Sequence, residues 1–181
     1  MKLSMTFLNS IPLGLFLLTG CAKVLTPSPE QKLAQLQITL SAVPEAVGRY
    51  VDFTRVGNLV FLSGKGPRQP SGEYIKGKLG SDLTVEQGYA AARITAINQL
   101  AVLKIAIGDL KKIKRIVRVN GYVNSAATFY DHPKVVDGFS DLLIEVFGNA
   151  GKHARTSVGT TSLPMNMAVE VEMIIEVESS N

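Results

Sequence analysis

The sequence predicts an α+β domain in which two helices pack on one face of a β-sheet. Three observations lead there. In the last apolar stretch Met167, Val169, Val171, Met173, Ile175 and Val177 occupy odd positions, and Glu170, Glu172 and Glu176 occupy even ones. Successive strand side chains point to opposite faces, so one face is apolar and the other gathers carboxylates. Two upstream segments carry apolar residues at the three- and four-residue steps of a buried helix face. The order strand–strand–helix–strand–helix–strand–strand then favours helices segregated to one side of the sheet.

In chain order, Ser28 caps a short helix with Pro29 at its first position and Glu30 in its first turn. Leu33, Leu36 and Ile38 supply its apolar side. Tyr50 to Arg55 alternates, Val56-Gly57-Asn58 turns, and Leu59 to Leu62 runs apolar, a β-hairpin. A Gly/Pro-rich loop spans Ser63 to Gly80. Thr84-Val85-Glu86-Gln87 forms a capping box. The helix it opens carries the stripe Val85, Tyr89, Ala92, Ala96, Leu100, Leu103, Ile107, and Gly108 ends it. A strand follows from Ile113 to Val123, with Ile113, Val117, Val119 and Val123 on one face and Lys114, Arg118, Asn120 and Tyr122 on the other. The second helix starts near Pro133, uses Val136, Phe139, Leu143 and Val146, and stops at Gly148.

The first 21 residues have another character. A basic Lys2, an apolar core at Ile11–Leu18 and the run Leu18-Thr19-Gly20-Cys21 match a secretory signal peptide. The core is too short for a permanent span, which takes roughly 20 apolar residues. The quartet resembles a bacterial lipobox, which implies cleavage and lipidation at Cys21, the only cysteine. Residues 1–21 are thus expected to be a lipoprotein leader, 22–45 a tether with a short helix, and 46–181 the domain. The expected location is the periplasm-facing side of a bacterial membrane. Ala22 rather than Asp follows the cysteine, as in lipoproteins sorted to the outer membrane.

Composition narrows the function. With one cysteine and two histidines the chain lacks the Cys/His spacing of a zinc site, and no metal is expected. Gly64-Lys65-Gly66-Pro67 lacks the Gly-Lys-Ser/Thr ending of a nucleotide P-loop. The basic run Lys111, Lys112, Lys114, Arg115, Arg118 has only Tyr122 nearby as a stacking platform, so a solvated corner is favoured over a nucleic-acid site. A third constellation, Arg155-Thr156-Ser157 followed by Glu170 and Glu172, can divide labour if the two strands are adjacent. A guanidinium fork grips a carboxylate, and a glutamate moves a proton.

The segments Arg155-Thr156-Ser157-Val158, Leu163-Pro164 and Val169-Glu170-Val171-Glu172 resemble the C-terminal signature of the RidA/YjgF (L-PSP endoribonuclease-like) family. Ala46 to Val51 and Val56 to Gly64 resemble its N-terminal region and first hairpin, and Gly77 to Arg93 with Val123-Asn124-Ser125 resembles a longer branch. The resemblance implies a chorismate-mutase-like fold, a homotrimer with clefts between subunits, and cofactor-free hydrolysis of 2-imino (enamine) acids to 2-oxo acids and ammonia. It implies that Arg155 clamps the substrate carboxylate and Glu170 works on the water, with Glu172 as alternative. Tyr50 would line the cleft from its strand, Gly64 would donate an N–H, and Ser157 would line the site. Ser157 stands where the family often has cysteine, and Ala127 where many members have asparagine. Two other readings follow: a non-catalytic module binding small carboxylates or a partner, and, remotely, RNA binding or cleavage.

Overall fold

The computed structural model describes residues 26–43 and 48–179, so Cys21 and the leader lie outside the described residues. The elements are α1 (Pro29–Gln35), β1 (Phe53–Val56), β2 (Leu59–Lys65), α2 (Val85–Ile107), β3 (Ile113–Asn124), α3 (His132–Phe147), β4 (Ala154–Thr160) and β5 (Val169–Val177). The strands form one sheet in the order β1-β2-β5-β3-β4, antiparallel except for the β3–β4 pair. That parallel pair is joined through α3, as a parallel connection requires a crossover. Both long helices pack on the same face of the sheet, and the core lies between them and the strands.

The capping chemistry is as the sequence predicts. Thr84 accepts from the Gln87 N–H while the Gln87 side chain returns a bond to the Thr84 N–H, and Ser28 does the same with Gln31. α1 docks through Glu30, whose Oε1 accepts from Lys104 Nζ at 2.7 Å and from the Leu110 N–H at 3.0 Å. Burial would raise this carboxyl, but those bonds outweigh it and hold its pKa at about 2. β5 keeps strict alternation, with Val169, Val171, Met173, Ile175 and Val177 buried.

Two expectations need correction. β1 begins at Phe53, so Tyr50 sits in the irregular segment before the strand, not on it. In β3 the buried residue is Ile116, while Val117 is half-buried. The pairing with β5 is irregular at Ile113/Arg115 and at Ile116/Arg118. Each bulge adds a residue and shifts the inward parity, so Ile113, Ile116 and Val119 all face the helices.

α2 and α3 cross closely at a glycine. A Cβ on Gly138 would stand 2.1 Å from the backbone oxygen of Tyr89 and 2.8 Å from its carbonyl carbon. A backbone atom cannot rotate aside, so the helices must separate. Gly138→Ala gains about 1 kcal/mol in helix propensity but overpacks a tight crossing, which costs typically 1–3 kcal/mol and occasionally more. The expected net result is a lower Tm in calorimetry. An unchanged or raised Tm would show that this crossing has slack.

Candidate active site

The site is built on an irregularity in β2. Leu62 pairs with Met173 and Lys65 with Val171, so Ser63 and Gly64 together oppose the single residue Glu172. The buried Gln99 of α2 fixes this bulge, its Nε2 donating to Ser63 O at 3.0 Å and to Val171 O at 2.7 Å. Ser63 Oγ donates to Val51 O at 2.7 Å, and Lys65 pairs with Asp52 at 2.5 Å. These bonds tie the segment after Tyr50 to the bulge. Beyond it, Asn98 Nδ2 donates to the carbonyls of Gly66 and Arg68 at 2.9 and 3.0 Å and shapes the following loop.

Around the bulge lies a cavity of about 610 Å³ lined by Tyr50, Gly64, Glu170 and Glu172, with Arg68, Tyr74, Asn98 and Met167 among its other walls. Gly64 is there for lack of a side chain: a Cβ would fall 2.1 Å from Glu170 Oε1. The carboxylate thus rests against bare backbone.

The two glutamates of this face differ. Glu172 Oε1 accepts from Asn120 Nδ2 at 2.9 Å and Tyr122 Oη at 3.2 Å, and burial together with the Glu172 charge raises the Tyr122 phenol. Glu170 receives no hydrogen bond from the described residues. Burial foremost, and then the neighbouring Glu172 charge, raises its pKa above the ordinary carboxylate value. A carboxylate with heightened proton affinity accepts a proton more readily than an ordinary one. Glu172 is instead held in place as an acceptor.

Arg155 and Ser157 lie elsewhere. They are on the edge strand β4, and β3 separates β4 from β5, so the arginine and the glutamate are not on adjacent strands. They also face opposite ways. Arg155 is level with Val119 and Ser157 with Gly121, both buried toward the helices, while Glu170 is level with Tyr122 on the other face. Arg155 Nη1 donates to Asp137 Oδ1 at 2.7 Å and Ser140 Oγ at 2.9 Å, and Nη2 to Pro133 O at 3.4 Å, all from α3. Ser157 Oγ is buried and has no hydrogen-bond partner among the described residues. One chain therefore gathers Tyr50, Gly64 and Glu170, and places Arg155 and Ser157 at a second location. Ala127 is exposed in the turn after β3.

Sequence reasoning missed Arg68, Tyr74 and Asn98 at the cavity and Gln99 behind the bulge. Asn98 and Gln99 left a trace as paired amides inside an apolar helix. The loop residues left none. The basic run is partly neutralised: Lys114 and Arg115 both pair with Glu176, at 2.7 and 2.6 Å, and Lys112 Nζ donates to Ile107 O.

The family model described as "YjgF/chorismate mutase-like, putative endoribonuclease" matches residues 30–177. Protein TCP17 of Trypanosoma cruzi is 38% identical over 148 residues, covering 81% of this chain and 92% of that protein. A 2-iminobutanoate/2-iminopropanoate deaminase of Dermatophagoides farinae is 29% identical over 142 residues, covering 78% and 95%. Among solved structures, Atu1372 of Agrobacterium tumefaciens, a protein of unknown function, superposes with TM-score 0.76 at 40% identity, covering 83% of this chain and 94% of that one. The family model's match across nearly the whole described chain, the 38% identity to a relative covered over 92% of its length and the α+β sheet show that the chain belongs to the RidA/YjgF family.

Proposed function

We propose that this protein hydrolyses reactive 2-imino acids to 2-oxo acids and ammonia in a cleft between subunits of a homotrimer. The observation that carries the reading is Glu170, a half-buried carboxylate of raised proton affinity on the wall of the cavity and packed against Gly64. In the reaction Glu170 takes a proton from a water as its oxygen bonds to the carbon of the protonated imine, giving a neutral carbinolamine. It returns that proton to the nitrogen, then takes the hydroxyl proton as the C–N bond breaks and the C=O bond forms. Passing this proton to the departing ammonia restores the carboxylate, so that ammonium and the oxo acid leave. Tyr50 and the Gly64 N–H orient the substrate. Arg155 of a neighbouring subunit grips its carboxylate, and Ser157 lies beside that arginine.

The opposed orientations of Arg155 and Glu170 within one chain support an intersubunit site, since a single copy cannot bring them together. Relatives named as 2-iminobutanoate/2-iminopropanoate deaminases support the chemistry. The test is an assay of the domain without its leader, with 2-iminobutyrate generated in place and oxo acid release followed. Acceleration above the spontaneous rate is expected. Binding of 2-oxobutyrate without acceleration would favour a non-catalytic carboxylate-binding module.

The same reading includes the leader. Cleavage before Cys21 and acylation of its thiol would hold the domain at the membrane surface on the 22–45 tether. Mass spectrometry of the mature protein is expected to find a lipid-bearing N-terminal cysteine. A mature chain that still begins at Met1 would exclude the anchor.

A further inference from the structure

We infer that Asp137 is a specificity-determining residue that lowers the affinity of Arg155 for anionic ligands while fixing which edge of the guanidinium they meet. This rests on the proposed function. Asp137 Oδ1 and Ser140 Oγ both accept from Nη1, at 2.7 and 2.9 Å. They turn that nitrogen toward α3. Pro133 O takes one long contact from Nη2 at 3.4 Å. Among the described residues nothing accepts from Nε, and the edge formed by the Nε and Nη2 N–H groups meets only the long contact to Pro133 O. Those two N–H groups are parallel, the geometry that holds a carboxylate bidentately.

The pairing has an electrostatic consequence. The Arg155 side chain is 23% exposed and that of Asp137 is 46% exposed, so the pair is only partly screened by water. An arriving carboxylate meets the guanidinium together with a fixed negative charge on its far side. The ligand is attracted less than by a lone arginine, and product oxo acid is released more readily. The site therefore suits a substrate whose imine nitrogen is protonated. Such a molecule is a zwitterion whose iminium charge offsets its carboxylate, so it is repelled by Asp137 less than the anionic product is.

Asp137→Asn retains an oxygen to accept the Nη1 bond and removes the charge. Titration calorimetry of the trimeric domain with 2-oxobutyrate, and with its neutral amide as control, tests the assignment. Asp137→Asn is expected to tighten 2-oxobutyrate binding about tenfold, the order expected for one partly screened charge a few Å away, and to leave the amide unchanged. Asp137→Ala, which also frees the guanidinium to rotate, should gain less. Equal or weaker binding of 2-oxobutyrate by Asp137→Asn would overturn the inference alone. Absence of 2-oxobutyrate binding by the unsubstituted protein and both variants would overturn the proposed function with it.

Discussion

Replacing Glu170 by glutamine is expected to lower kcat for 2-iminobutyrate by about 10²–10⁴, the range contributed by a positioned proton-transfer group. Glutamine keeps the shape that packs against Gly64, so folding and 2-oxobutyrate binding should persist. What it loses is the capacity to take a proton from water and return it to nitrogen. The pH profile gives an independent reading. Glu170 must be ionised to act as a base, so the rate is present above its pKa and falls as pH drops through it. Burial and Glu172 raise that pKa, which places the acid limb above the ordinary carboxylate range. Glu172→Gln removes the charged neighbour and is expected to move the limb to lower pH. An Glu170→Gln protein with undiminished kcat would transfer the proton step elsewhere, and an unmoved limb in Glu172→Gln would remove Glu172 as a cause.

Arg155→Ala is expected to lower kcat/KM by roughly 10²–10⁴. Each hydrogen bond to a charged group contributes roughly 1.5–3 kcal/mol, and two parallel bonds would be lost. Arg155→Lys keeps the charge without the planar fork and should recover only part of the loss. The stability of Arg155→Ala should change little, because its partner Asp137 is half exposed and can be hydrated. Circular dichroism and the oligomeric mass of the variant separate a folding defect from a lost clamp. A kcat/KM within a factor of two of the parent would refute the clamp.

Much of the fold could be read from local chemistry. Thr84 and Gln87 fix the start of α2 through bonds three residues apart, and the parity of β5 follows from eleven residues in a row. The bulges could not be read this way. Whether Ile116 or Val117 faces inward depends on where β3 slips against β5, and that register is set by a strand some sixty residues further along. Tyr50 alternates like a strand residue but has no ladder partner, so its pattern misleads. At the site, Glu170 and Gly64 belong to one surface because β2 and β5 are neighbours. Arg155 carries the motif equally clearly, yet its orientation follows from the crossover through α3, which puts β4 outside β3. Odd and even positions on different strands cannot be compared until the topology relates them.

That opposition of faces has a genetic corollary. If each reaction centre borrows its guanidinium from one copy and its carboxylate from the next, two dead proteins can cure each other. Chains bearing Arg155→Ala and Glu170→Gln, unfolded together in equal amounts and refolded, would scramble into rings in which about a quarter of the junctions unite an intact arginine with an intact glutamate, given closed cyclic symmetry. Blends of either defective protein with itself would stay silent.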